Sequence, residues 1–130
     1  MKRLFSCVLC VFLLIQLCAC SPKPTVKLSQ KGESVAKRAV NLLDSYLDGE
    51  ISNDEAKAGM DELKEEIDYA SDYAGRDRTD EQSGDWKLHL LIMMTSWHVS
   101  SDGYNKTAES YEELIKDRND LAEIVGIKKR

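Results

Sequence analysis

Trp86-Lys87-Leu88-His89-Leu90-Leu91-Ile92-Met93-Met94-Thr95-Ser96-Trp97-His98-Val99 is the run on which the fold turns. Its first five residues alternate as a half-buried strand would, with Trp86, Leu88 and Leu90 on one side and Lys87 and His89 on the other. Leucine and methionine nevertheless outnumber β-branched residues across the run, and Asp85 stands where an N-cap belongs. The run therefore reads as a helix over about 85–100. Apolar residues occur nearly all round it, which predicts the most buried position in a bundle.

The flanking sequence carries the same period. Val35, Ala39, Leu42, Leu43, Tyr46 and Leu47 recur at helical spacing with Lys37, Arg38, Asn41, Asp44 and Ser45 opposite, so the spacing predicts a helix over 34–48 that stops at Gly49. Ser52 followed three residues later by Glu55 is a capping box, and it opens a second helix over 53–74 with Ala56, Met60, Leu63, Ile67, Ala70 and Ala74 on one stripe. Residues 75–84 have no apolar member and read as a solvated loop. A turn over 100–105 then leads into a helix over 105–125, with Ala108, Tyr111, Leu114, Ile115, Leu121, Ala122 and Val125 inward and Gly126 as its stop. Short connections favour antiparallel neighbours, so the expected fold is all-α, a small antiparallel bundle of four helices over 34–127. A three-helix bundle with the first helix loosely docked is the alternative.

The first twenty residues have a different design. Met1-Lys2-Arg3 is a short positive start, Leu4 to Leu17 is an apolar run broken only by Ser6 and Gln16, and Pro22 and Pro24 follow soon after. A membrane-spanning helix needs about 20 apolar residues, so the stretch reads as an export signal over 1–19. Leu17-Cys18-Ala19-Cys20 resembles the lipobox of bacterial lipoproteins, with an aliphatic residue three before the cysteine and a small one just before it; Cys18 takes the family's tolerant middle position. The resemblance covers these twenty residues alone. It implies that Cys20 receives a diacylglycerol on its sulfur and becomes the N-terminus of a chain held on a cell membrane or outer membrane, outside the cytoplasm. Two acyl chains hold a protein durably where one does not. Residues 20–33 then read as the lipidated cysteine and an extended tether whose Lys23, Lys27 and Lys31 face anionic headgroups.

Composition narrows the function classes. The chain has 23 acidic and 18 basic residues, and loss of Lys2 and Arg3 with the signal leaves 16 positive charges against 23 negative, a balance of −7. Nucleic acid is an unsuitable partner for so acidic a domain. Of the four cysteines only Cys20 survives cleavage, so neither a disulfide nor a thiol nucleophile is available. No glycine-rich phosphate loop or spaced triad is present, and the carboxylates Asp61, Glu62, Glu65, Glu66, Asp68 and Asp72 read as a solvated face. The sequence implies no cofactor and no catalytic residues.

Three motifs remain. Asp44 to Glu55 resembles an EF-hand calcium loop, with Asp44, Asp48, Gly49, Ile51 and Glu55 in register, but Tyr46 stands where an oxygen ligand belongs. Gly49 and the Ser52 box explain the same residues as an ordinary turn, so no metal site is assigned; Asp44, Asp48 and Glu55 are the residues that would ligate one. His89 with Met93, and Met94 with His98, are i,i+4 pairs, yet the two histidines stand about 180° apart and two ligands make no site. Trp86 and Trp97, eleven residues apart, share one face with Leu90 and with Met93 or Met94; this face is either core or a partner surface. The expected function is a non-enzymatic, lipid-anchored module that binds an envelope protein through an exposed apolar patch involving Trp86, Trp97 or the tyrosines Tyr69, Tyr73, Tyr104 and Tyr111. The alternative is a lipoprotein binding a small molecule or metal ion at the 44–55 turn or in the core of the 85–100 helix.

Overall fold

A computed structural model describes residues 22–130. The export segment and Cys20 lie outside the described residues. Four α-helices follow one another: α1 Gln30–Leu47, α2 Asn53–Ile67, α3 Asp80–Asn105 and α4 Ala108–Val125, with no strand among the described residues. Each helix packs on the next and α4 returns to α1; α1 and α3 meet across one diagonal while α2 and α4 do not touch. This is the expected small antiparallel bundle, with the first helix fully part of it.

Every helix opens on a hydroxyl. The side chains of Ser29, Ser52, Thr79 and Thr107 accept the backbone N–H three residues on, and at Ser52, Thr79 and Thr107 the third residue bonds back to the cap. The Thr79–Gln82 box starts α3 five residues ahead of the expected boundary, inside the segment read as a loop, and the helix runs on through 100–105, expected as a turn, to a left-handed cap at Lys106. Likewise α1 starts at Gln30 because Ser29 caps it, four residues before the expected boundary at 34. α2 gives way at Ile67 to a 3₁₀ turn, Asp68–Tyr73, in place of the α-helix expected through 74. That tighter winding sets Tyr69 and Tyr73 edge to face, ring centroids 6.1 Å apart, and brings the Tyr69 hydroxyl to Asp85.

The core is aliphatic. Val35, Leu43, Met60, Ile67, Leu88, Ile92, Leu114 and Leu121 are among its closed side chains, and no aromatic ring joins them. Ala36, Ala39, Ala56, Ala70 and Ala122 are also sealed, and such small side chains let helices approach closely. α3 does not take the all-round burial expected of it. One stripe, including Leu88, Ile92, Thr95 and Val99, faces the core, because three neighbouring helices cover only one side of a fourth.

The stretch expected as an extended tether is held against the bundle for part of its length. Thr25 N–H reaches the Glu123 carbonyl at 3.4 Å, and Val26 and Leu28 pack half-buried on the core. Gly84 on α3 admits the Lys27 carbonyl and Val26 at a distance that any Cβ there would obstruct. Ser29 N–H then donates to Asp85, 3.1 Å away, which also accepts from Tyr69 at 2.7 Å. Two isolated apolar residues have no period to betray them, so their burial was not visible in the sequence. No helix among the described residues is long and apolar enough to cross a membrane.

Candidate functional site: the outer face of α3

Opposite its core stripe, α3 carries Trp86, Leu90, Met93, Met94, Trp97 and Tyr104. At 100° per residue these side chains project within one sector of the helix, and from Trp86 to Tyr104 the row runs about 27 Å. Trp97 is 69 % exposed, Tyr104 88 %, Met94 50 % and Met93 46 %, while Trp86 and Leu90 are half-buried. Between Lys87 and Asp102 the helix bears no Asp, Glu, Lys or Arg, so the row is uncharged along most of its length. Of the two readings open for the tryptophan face, core or partner surface, the structure gives an outward one.

The row stands on a fixed base. On the α2 side Ser96 donates to Asp61 at 2.8 Å, and Asn53 donates to the Val99 carbonyl at 2.9 Å. On the α4 side His98 Nδ1 lies 2.6 Å from Asp117, whose carboxyl is pushed up by burial although His98 draws it back down. Trp86 stacks on His89, centroids 5.4 Å apart and planes 17° from parallel, with the Arg78 guanidinium over its ring at 5.9 Å. Trp97 leans on His98 at 5.4 Å. Rigid aromatic side chains with an apolar body and little freedom to lose are suited to anchoring a partner.

The other sequence-identified residues serve the fold. Asp44 receives two parallel hydrogen bonds from Arg118, both 2.8 Å, which hold its carboxyl below the usual carboxylate range. Arg130 folds back onto Asp44 and Asp48, and Glu55 closes the Ser52 capping box. Tyr46 and Leu47 are helical and half-buried, so the calcium-loop reading of 44–55 gives way: its first four positions are the last turn of α1 and its fifth, Asp48, is the C-cap, and its carboxylates are engaged by arginines and a cap. No group of three His, Cys, Asp or Glu side chains among the described residues could hold a metal ion. His98 belongs to Asp117, and His89 lies at the buried edge of α3 with its Nδ1 lacking any partner, so neither histidine gathers a methionine into a ligand set.

Two further polar clusters escaped the sequence reading. Tyr46 and Ser110 both donate to Asp102, and Asn53 donates to the Tyr46 hydroxyl, which ties α1, α2, α3 and α4 together at one end. At the other end the Ser29, Tyr69 and Asp85 cluster joins the start of α1, the 3₁₀ turn after α2, and α3, and burial pushes the Tyr69 hydroxyl up to about 12. Their members are far apart in sequence, and each is a common surface type, so nothing in the chain marks them beforehand. An open cleft of about 530 Å³ between residues 23–28 and the end of α4 is bordered by Val26, Leu28 and Ile124 together with Lys23, Lys27 and Glu33.

No protein family, no curated protein and no solved structure matches this chain.

Proposed function

We propose that this protein is a non-enzymatic, lipid-anchored extracytoplasmic module that docks an envelope protein on the outer face of α3. The lipobox-like Leu17 to Cys20 supports the anchor, at a cell membrane or outer membrane. The observation that carries the docking reading is the exposed row from Trp86 to Tyr104. A small bundle that could bury only so much apolar surface leaves two methionines, a tryptophan and a tyrosine aligned in water. Their types are those enriched at interface centres, and aromatic anchors on a stiff helix lose little freedom on binding.

Two measurements test the two halves. The mass of the protein extracted from membranes is expected to match residues 20–130 plus acyl chains, and a Cys20→Ala variant is expected to lose that modification; an unmodified chain would sink the anchor. Hydroxyl-radical footprinting compares Met93, Met94 and Trp97 in native envelopes with the same residues in the purified protein. Protection of all three in the envelope is the expected result, and equal reactivity in both states would remove the docking face.

A further inference from the structure

We propose that the segment seated on α3 is an amphipathic helix of the partner protein, with lysine or arginine along the flank that meets α4. The inference rests on the reading of α3 as a docking face and names what it receives. Shape supplies the first argument. The row is straight, about 27 Å long and about 100° of the helix wide, and another helix laid along it buries it by ridge-into-groove packing. An added strand would need an open sheet edge, and the described residues contain none.

Charge supplies the second argument. The α2 border of the row is balanced: Asp54 and Lys57 near Tyr104, then Asp61 beside Ser96 with Lys64 3.5 Å from it. The α4 border is acidic, with Asp117 against His98 and the charges of Glu113 and Asp120 acting on it from the same side. Two basic residues lie within this stretch of α4: Arg118 is turned inward onto Asp44 of α1, and Lys116 stands further round the helix, away from α3. Lys87 of α3 offsets Asp120 and Glu123 at the lower end of the border, so the negative excess is at Glu113 and Asp117, beside Met94 and Trp97. An incoming helix thus meets an uncharged middle, a neutral edge and a negative edge. Apolar contact holds such a helix, and a basic flank fixes its direction and register.

The same border argues against two other occupants. A second copy of this chain in a twofold pair opposes the acidic border either to itself or to the balanced α2 border, so the excess positive charge is missing in both. An anionic lipid surface meets Glu113, Asp117 and Asp120 with charge of its own sign.

A benzophenone amino acid placed at Met94, in the full-length chain in its own cells, tests this by photocrosslinking and mapping of the joined peptide. The expected adduct is a protein segment with helical apolar spacing and two or more Lys or Arg on one flank. Its yield is expected to fall about ten-fold in a Glu113→Lys, Asp120→Lys double variant, remain in Glu112→Lys on the far side of α4, and fall several-fold between low and high salt. Salt needs no variant, so misfolding of the double variant leaves the charge argument testable. A protein adduct that is acidic, non-helical, or indifferent to both charge reversal and salt overturns this inference while the docking face stands. An adduct to lipid, to a second copy, or no adduct at all overturns the docking face as well.

Discussion

Arg118, only 5 % exposed, grips Asp44 of α1 from α4 through Nε and Nη2, and spends its remaining nitrogen on the Lys128 carbonyl and Asn119. One guanidinium therefore joins two helices and the C-terminal residues. It also occupies the carboxylate that a calcium ion would need first.

Asp44→Asn is expected to cost about 2 kcal/mol at neutral pH. That is less than the ~3–5 kcal/mol of a fully buried pair, because the Asp44 side chain is 31 % exposed. The carboxyl is held below its ordinary range by Arg118, so its contribution is complete above the unfolded value near 3.9 and vanishes as pH falls through the lowered folded value. Chemical denaturation across pH 2–7 is expected to show a shallower acid limb in the variant. Asp117 works in the opposite sense: its raised carboxyl contributes stability below the ordinary value that is lost as pH rises. Calcium at about 5 mM, above the ~1 mM of weak extracellular sites, is expected to leave the melting temperature unchanged.

Gly32→Ala sets two effects of opposite sign against each other. Inside a helix the change favours Ala by about 1 kcal/mol. Here a Cβ would drive into the Asp85 carboxylate, so a net loss of about 1–2 kcal/mol is expected, shrinking in an Asp85→Ala background. A stabilised Gly32→Ala protein would mean that Asp85 does not sit where Ser29 and Tyr69 hold it.

His89→Leu is expected to be neutral or to stabilise by up to about 1 kcal/mol in urea denaturation. Its Nδ1 is buried without a partner, a loss that an apolar side chain of similar size does not incur. A destabilisation beyond about 1.5 kcal/mol would show that the ring makes a bond or a Trp86 contact worth more than the buried nitrogen costs.

Trp97→Ala and Ile92→Ala lie five residues apart on α3 and are expected to differ sharply. The first removes an exposed side chain and is expected to stay within about 0.5 kcal/mol of the parent. The second opens the sealed core and is expected to cost about 2–5 kcal/mol. Comparable losses at both positions would place Trp97 inside the folding core rather than on a free face.

The helices were legible because each buries one stripe, and the Ser52–Glu55 box and Gly126 punctuate it where expected. Their true starts at Gln30 and Asp80 were not, because Ser29 and Thr79 extend the helices past the core, where no apolar period exists to be read. The row on α3 was legible as one face, but not whether that face turned to the core or outward, for a related reason. Leu88 and Ile92 face the core and Leu90 and Met93 face away, yet all four look alike in a hydropathy pattern, which registers apolar residues and not what covers them. Asp85, Asp102 and Arg118 were unreadable because long-range polar pairing leaves no local trace.

The meeting of residues 22–27 with the start of α3 and the end of α4 gives the molecule a foot and a head. On the proposed anchor, Cys20 precedes Pro22 by only two residues, so Trp86 stands low and Tyr104 high. The position at which a partner engages the row then becomes a measure of height above the bilayer: a segment that stays close to the lipid reaches Trp86 and Leu90, and one carried further out reaches Trp97 and Tyr104.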